Sequence, residues 1–183
     1  HEEYVNSIQI PCNAQKGDTL PVSTFKKEVD GTFPQGSAAF EKRGIAVKVP
    51  AWIPENCIQC NQCAYVCPHA VIRPVALSEE EAANAPEGMK MADFKPAMNG
   101  LKFAMTVSAL DCTGCGSCAN VCPAKNKALV MESLESQLGE QEKFSYGLTI
   151  DEKPEVAAKF KPTTVKGSQF RQPMLEFSGA CAG

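Results

Sequence analysis

Residues 57–68 read CIQCNQCAYVCP, and residues 112–123 read CTGCGSCANVCP. Both are C-x2-C-x2-C-x3-C-P: Cys57, Cys60, Cys63 and Cys67 precede Pro68, while Cys112, Cys115, Cys118 and Cys122 precede Pro123. Three cysteines at three-residue steps form a loop that wraps one side of a compact body, and a four-iron cubane needs four thiolates arranged around such a body. The fourth cysteine is carried about 6 Å further along a helical segment, at about 1.5 Å per residue, and so faces a different cluster. The spacing therefore predicts one [4Fe–4S] site on Cys57, Cys60, Cys63 and Cys122, and a second on Cys112, Cys115, Cys118 and Cys67. Each proline removes a backbone donor and pushes the cysteine before it towards an extended conformation. In the second loop, Gly114, Gly116 and Ser117 are small enough to let backbone N–H groups approach sulfur, one of the levers on reduction potential.

The alternatives are weaker. A secreted disulfide framework scatters its cysteines, whereas here eight of ten fall in two tight groups and only Cys12 and Cys181 stand alone. Structural zinc takes four ligands as two separated C-x2-4-C pairs, which four cysteines within eleven residues, duplicated and each followed by proline, fit poorly. The duplicated run is that of two-cluster bacterial ferredoxins.

Around each run the sequence repeats. Residues 51–77 and 105–131 each follow a β-like stretch and end in a second apolar run, which implies two similar halves about a pseudo-two-fold axis. The fold expected is α+β and ferredoxin-like, with an irregular segment over 1–44, the dicluster domain over 45–131, and a helix and linker over 132–183. Asp30-Gly31 and Pro34 to Gly36 read as turns, and the alternation of Ile45, Val47 and Val49 suggests a strand running to Trp52. Within the insertion, 78–100, Ser78 and Glu81 make a capping box for a helix over 79–85, and the remainder reads as loop. Residues 131–144, MESLESQLGEQEKF, have helical composition with Leu134 and Leu138 at i,i+4, and residues 151–172 read as an extended linker.

A net charge of −3 without a Lys/Arg cluster argues against nucleic acid, and no apolar stretch approaches the roughly 20 residues of a membrane helix. Several residues near the motifs have ordinary readings. With eight cysteines filling eight positions, His69 has no vacancy to fill. Arg73, Lys125 and Lys127 read as solvated charges, Trp52 and Tyr65 as packing beside the first site, and Cys12 as a free or buried thiol without a catalytic role.

The stretches EKRGIAVKVPAWIPENCIQCNQCAYVCPHAVIRP and LKFAMTVSALDCTGCGSCANVCPAKNKALVMESLESQ, with LPVSTF and DGTFPQG upstream, resemble the ferredoxin-type segment of pyruvate:ferredoxin oxidoreductase. The insertion between the repeats matches as well. The resemblance implies a large homodimeric enzyme that uses thiamine diphosphate and Mg to oxidise pyruvate with coenzyme A, giving acetyl-CoA and CO2. Electrons would pass singly through three [4Fe–4S] clusters to ferredoxin or flavodoxin, in the cytoplasm or in a hydrogenosome-type organelle of a protist. No thiamine diphosphate motif occurs in this sequence, so it corresponds to the wire and not to the reaction centre. The terminal run FRQPMLEFSGACAG resembles the start of the third cluster site and makes Cys181 a candidate ligand there, with its partners elsewhere. A polyferredoxin-type subunit of another oxidoreductase is the alternative within the same chemistry, and a zinc-binding structural module the alternative outside it.

Overall fold

The computed structural model describes residues 2–171, in two compact units, His1–Lys42 and Arg43–Gly183. The first unit is more helical than its sequence suggests. α1 (Glu2–Tyr4), a π-helical turn (Val5–Gln9) and α2 (Ile10–Asn13) run on from one another, followed by 3-10 turns at Gly17–Thr19, Val22–Glu28 and Ser37–Phe40. Val5 and Ile8, one helical step apart, turn inward. Tyr4 stacks on Phe33 with ring centroids 5.8 Å apart, and Gln9 donates to Glu41. The turns at Gly31 and Gly36 form as the sequence indicates, both with positive φ.

In the second unit two antiparallel ladders dominate. β1 (Lys48–Trp52) pairs with β5 (Leu129–Ser133), from Lys48 opposite Ser133 to Trp52 opposite Leu129. β2 (Ile72–Ser78) pairs with β4 (Leu101–Val107), and the two-residue β3 (Ala92–Asp93) lies on the other side of β4. Pro50 and Pro74 sit in strands with only one neighbour, where a missing N–H is tolerated. β1 starts at Lys48 and not at Ile45, because Ile45 and Val47 stay 67% and 84% exposed while Val49 is fully buried. Of the helical composition over 131–144, only the last part forms an α-helix. Met131 to Ser133 complete β5, Leu134–Gln137 is a 3-10 turn, and α6 is Glu140–Gly147. The ladder with Lys48 to Pro50 overrides local propensity there. Leu134 packs on a small core with Ala46 and Val49, whereas Leu138 is half-exposed and Phe144 is the residue α6 buries.

The insertion and the tail both close over the main core. Ser78 caps α4 (Glu79–Ala83) in a reciprocal box with Glu81, as its sequence predicts. The segment over 151–171 is not an extended linker. Pro154 sits at the first turn of α7 (Pro154–Lys159), a position that suits its fixed φ and missing N–H, and α7 buries Val156. Thr164 caps α8 (Val165–Gln169). Phe94 and Phe103 meet edge to face at 5.7 Å, and Phe160 and Phe170 lie against Phe94 at 6.4 and 5.7 Å. Trp52 joins this aromatic cluster through Phe103. Arg73 is correspondingly no solvated charge: it is 3% exposed and donates to Oε1 and O of Gln169 at 3.0 and 3.2 Å.

Glu81 joins α4 to the tail. It accepts from Lys153 Nζ at 2.7 Å and from Ser78 N at 2.7 Å. Burial raises its pKa, but these hydrogen bonds and the nearby Lys153 charge outweigh it and hold the carboxyl below its ordinary value. The stability it contributes is therefore complete above the unfolded value of about 4.3 and is lost as pH falls through the lower folded one. Ser78→Ala is expected to cost about 1 kcal/mol in denaturant unfolding at neutral pH. Glu81→Gln is expected to flatten the loss of stability on acidification, measured as the unfolding midpoint against pH.

Candidate metal centres

The first cysteine loop lies between β1 and β2, and the second between β4 and β5. Because β1 pairs with β5 and β2 with β4, the chain leaving each loop returns alongside the strand that enters the other. The ladders extend right up to the loops: Ser108 N donates to Val71 O at 2.7 Å, and Ile53 N donates to Ala128 O at 2.9 Å. Cys67 is thereby delivered beside the start of the second loop, and Cys122 beside the start of the first.

Two cavities result. One is lined by Cys57, Cys60, Cys63 and Cys122 together with Trp52 and Met105. The other is lined by Cys112, Cys115, Cys118 and Cys67 together with His69 and Met131. Among the described residues no three Cys, His, Asp or Glu side chains close round a single-ion position; the thiols are spread over the cavity walls instead. Cys12 is an exposed free thiol in the other unit, and Cys181 lies outside the described residues.

Both loops bend through the left-handed region at matching positions, but with different residues. In the second loop these are Gly114 (φ 72°) and Gly116 (φ 74°), followed by α5 (Ser117–Val121). In the first they are Gln59 (φ 58°) and Asn61 (φ 61°), followed by α3 (Gln62–Tyr65). Gln59 N and Gly114 N each point to the sulfur two residues before, Cys57 Sγ and Cys112 Sγ, both at 3.3 Å. The strain of a non-glycine there, of order 1–2 kcal/mol, is held by tertiary hydrogen bonds. Fully buried Gln59 donates to Asp93 O and accepts from Lys95 N, each at 2.7 Å. Asn61, also buried, donates to Lys166 O in α8 at 3.1 Å. The insertion and tail thus brace the first loop. Sequence reasoning missed these residues; the signal was the pair Gln59 and Asn61 standing where the duplicate run has glycines.

The electrostatics suit thiolate ligands only if positive charge is brought in. Burial pushes the Cys63 thiol far up, reinforced by Cys57 and Cys60; burial likewise raises Cys112 and pushes Cys118 up to about 11. Without a cation beside them these thiols stay protonated, and iron supplies that charge on ligation. Cys115 differs: hydrogen bonding from the Ser117 backbone N–H and hydroxyl holds it below the ordinary thiol value, and it is the one exposed thiol of the eight. Two buried nitrogens, Trp52 Nε1 and His69 Nε2, have no acceptor within the protein. Each belongs to a residue lining one cavity, where cluster sulfur is an acceptor of the kind that tunes potential. The residues present therefore fit a [4Fe–4S] cluster in each cavity. Of the lysines after the second motif, Lys127 turns back to donate to Asn120 O and Cys122 O, at 2.9 and 2.8 Å. Tyr65 is 62% exposed, so of the two aromatics only Trp52 packs at the site.

Comparisons with known proteins agree. A family model described as a 4Fe-4S dicluster domain matches residues 56–126, and one described as a domain of unknown function matches residues 1–46. The chain is 56% identical over 182 residues to a pyruvate:ferredoxin oxidoreductase of Moorella thermoacetica, covering 99% of the chain and 15% of the relative. It is 54% identical over 180 residues to a pyruvate-flavodoxin oxidoreductase of Enterobacter agglomerans, covering 98% of the chain and again 15% of the relative. A pyruvate dehydrogenase [NADP(+)] of Cryptosporidium parvum is 47% identical over 184 residues, 99% of the chain and 9% of the relative. The dicluster match gives the chain two [4Fe–4S] clusters. No helix among the described residues is long and apolar enough to cross a membrane.

The two loops make a contrast that can be measured. A Cβ on Gly114 would stand 2.9 Å from Lys48 O, whereas one on Gly116 meets nothing within 4 Å. Gly116→Ala is expected to cost only the left-handed penalty, about 1 kcal/mol. Gly114→Ala adds overpacking against backbone and is expected to cost about 2–4 kcal/mol in all. Denaturant unfolding and iron content of the two variants check this order.

Proposed function

We propose, for a chain that corresponds to the dicluster segment of the pyruvate:ferredoxin and pyruvate-flavodoxin oxidoreductases, that it conducts electrons from pyruvate oxidation to a soluble carrier. The observation that carries this is the pair of cavities, each walled by the three thiols of one loop and the fourth of the other. One [4Fe–4S] cluster is held by Cys57, Cys60, Cys63 and Cys122, and the other by Cys112, Cys115, Cys118 and Cys67. Strand pairing that exchanges β1 with β4 and β2 with β5 supports a pseudo-two-fold ferredoxin-like repeat.

When bound, the clusters accept and release single electrons. The protein fixes their separation by crossing the ligands, keeps water from the first through the insertion and α8, and offers N–H donors to the sulfurs. The exposed Cys115 supports the second loop as the face at which the carrier approaches.

The chain spans about 15% of the length of the ferredoxin- and flavodoxin-linked relatives. The rest of that enzyme supplies thiamine diphosphate with Mg, coenzyme A binding and a third [4Fe–4S] cluster, for which Cys181 is the first ligand here, in a homodimer that is cytoplasmic. The carrier is ferredoxin or flavodoxin, as the names of two relatives indicate, whereas the name of the Cryptosporidium relative gives NADP(+) for that protein.

Protein prepared without oxygen is expected to be brown, with a broad visible absorbance that dithionite bleaches. Colourless protein with stoichiometric zinc would overturn the electron-transfer reading. Cys122→Ala is expected to damage the cluster on the Cys57 loop more than that on the Cys112 loop, resolved by electron paramagnetic resonance. The reverse would overturn the crossed ligand sets.

A further inference from the structure

Reducing a [4Fe–4S] cluster adds one electron and hence one unit of negative charge. A dry enclosure disfavours that charge, because little solvent is present to screen it. The first loop is the enclosed one: Cys57, Gln59 and Asn61 are buried, and the loop is roofed by the Asp93 to Lys95 stretch and α8. Something must offset the enclosure if an electron is to rest there.

Lys166 is placed to do so. Its backbone carbonyl accepts from Asn61, two residues before Cys63 and one after Cys60. Its Nζ reaches across to the other half of the roof, donating to Lys95 O and lying 4.4 Å from the Phe160 ring centroid and 6.0 Å from that of Phe94. Lys95 continues the chain of contacts, taking Gln59 Oε1 through its N–H and giving its own Nζ to Cys57 O at 2.8 Å. None of the ion pairs among the described residues involves Lys166. Burial holds its pKa below the ordinary lysine value; Cys57 and Cys60 work against that and favour the ammonium, while Lys159 opposes it. Half-buried and held by aromatic faces and a carbonyl, its charge is spared much of the screening that weakens an exposed lysine. Gly167 makes this position possible, since a Cβ there would run into the Lys161 carbonyl. Around the second loop the arrangement is not repeated: the equivalent positions are glycines, and Cys115 opens to solvent.

We propose that Lys166 is the resident counter-charge of the cluster on Cys57, Cys60, Cys63 and Cys122, and that it raises the reduction potential of that cluster selectively. The inference rests on the two-cluster reading above. It makes α8 a potential-setting element as well as a cover, with Lys95 as the secondary, more exposed contributor.

The test is a redox titration of the reconstituted protein followed by electron paramagnetic resonance, with a Cys115→Ser variant marking which signal belongs to the second cluster. Lys166→Met is expected to shift the midpoint of the first cluster downward and leave the second in place, while Lys166→Arg restores the first. Two loaded clusters with unchanged midpoints, an upward shift, or equal shifts in both would overturn the proposal. If Lys166→Met does not load, Lys95→Met gives the same reading with a smaller downward shift, and no shift there overturns it. Absence of any [4Fe–4S] signal from the unaltered protein would instead defeat the two-cluster reading itself.

Discussion

The fold depends on one exchange: each strand that leads into a cysteine loop is hydrogen-bonded to the strand that leads out of the other. β1 enters the first loop and pairs with β5, which leaves the second; β4 enters the second and pairs with β2, which leaves the first. A fourth thiol placed just ahead of an outgoing strand is then beside the other loop, whatever its distance in sequence. Cys67 and Cys122 each line the cavity of the other loop for this reason. The backbone ladder brings the thiols together, and iron is not needed to explain why each set of four lines one cavity.

The two loops reach the same backbone shape by different chemistry. Glycine gives the left-handed conformation without steric penalty, and in the second loop Gly114 also lets the chain pass close to the Lys48 carbonyl. The first loop puts Gln59 and Asn61 in that conformation and recovers the strain through buried amide hydrogen bonds to Asp93, Lys95 and Lys166. Those bonds work only when residues outside the repeat are docked. A glycine loop is self-sufficient, and a glutamine–asparagine loop recruits its surroundings. The duplication therefore produces two unlike sites: one enclosed by the insertion and tail, the other open at Cys115.

Much of this was legible in the sequence, because cysteine spacing is a short-range code. The C-x2-C-x2-C-x3-C-P spacing of each run, the Ser78–Glu81 box and the turns at Gly31 and Gly36 all follow from neighbours within a few residues. What was not legible depends on partners far along the chain. Arg73 reads as solvated until α8 is seen to bring Gln169 to it from 96 residues away. Met131 to Ser133 read as helical until Lys48 to Pro50 claim them for a ladder. The lysines and prolines of residues 151–171 suggest a linker by composition, although Pro154 suits the first turn of a helix and Val156, Phe160 and Phe170 supply its anchors. In the first unit, a short helix with only Val5 and Ile8 turned inward gives too little periodicity to detect.

The tail cannot be a passive connection, and the reason is the cost of undocking it. Lifting α8 away would leave the Arg73 guanidinium without its two Gln169 contacts and would uncover Phe94 and Phe103, now 2% and 0% exposed. Each hydrogen bond that a buried charged group loses costs about 1.5–3 kcal/mol, and exposing aromatic surface adds to this. The same movement would release Asn61 from the Lys166 carbonyl and allow water to reach the Cys57 loop. Enclosure of the first site is therefore tied to the core that β2 and β4 build, because the side chains that seat α8 on that core flank the lysine that covers the loop.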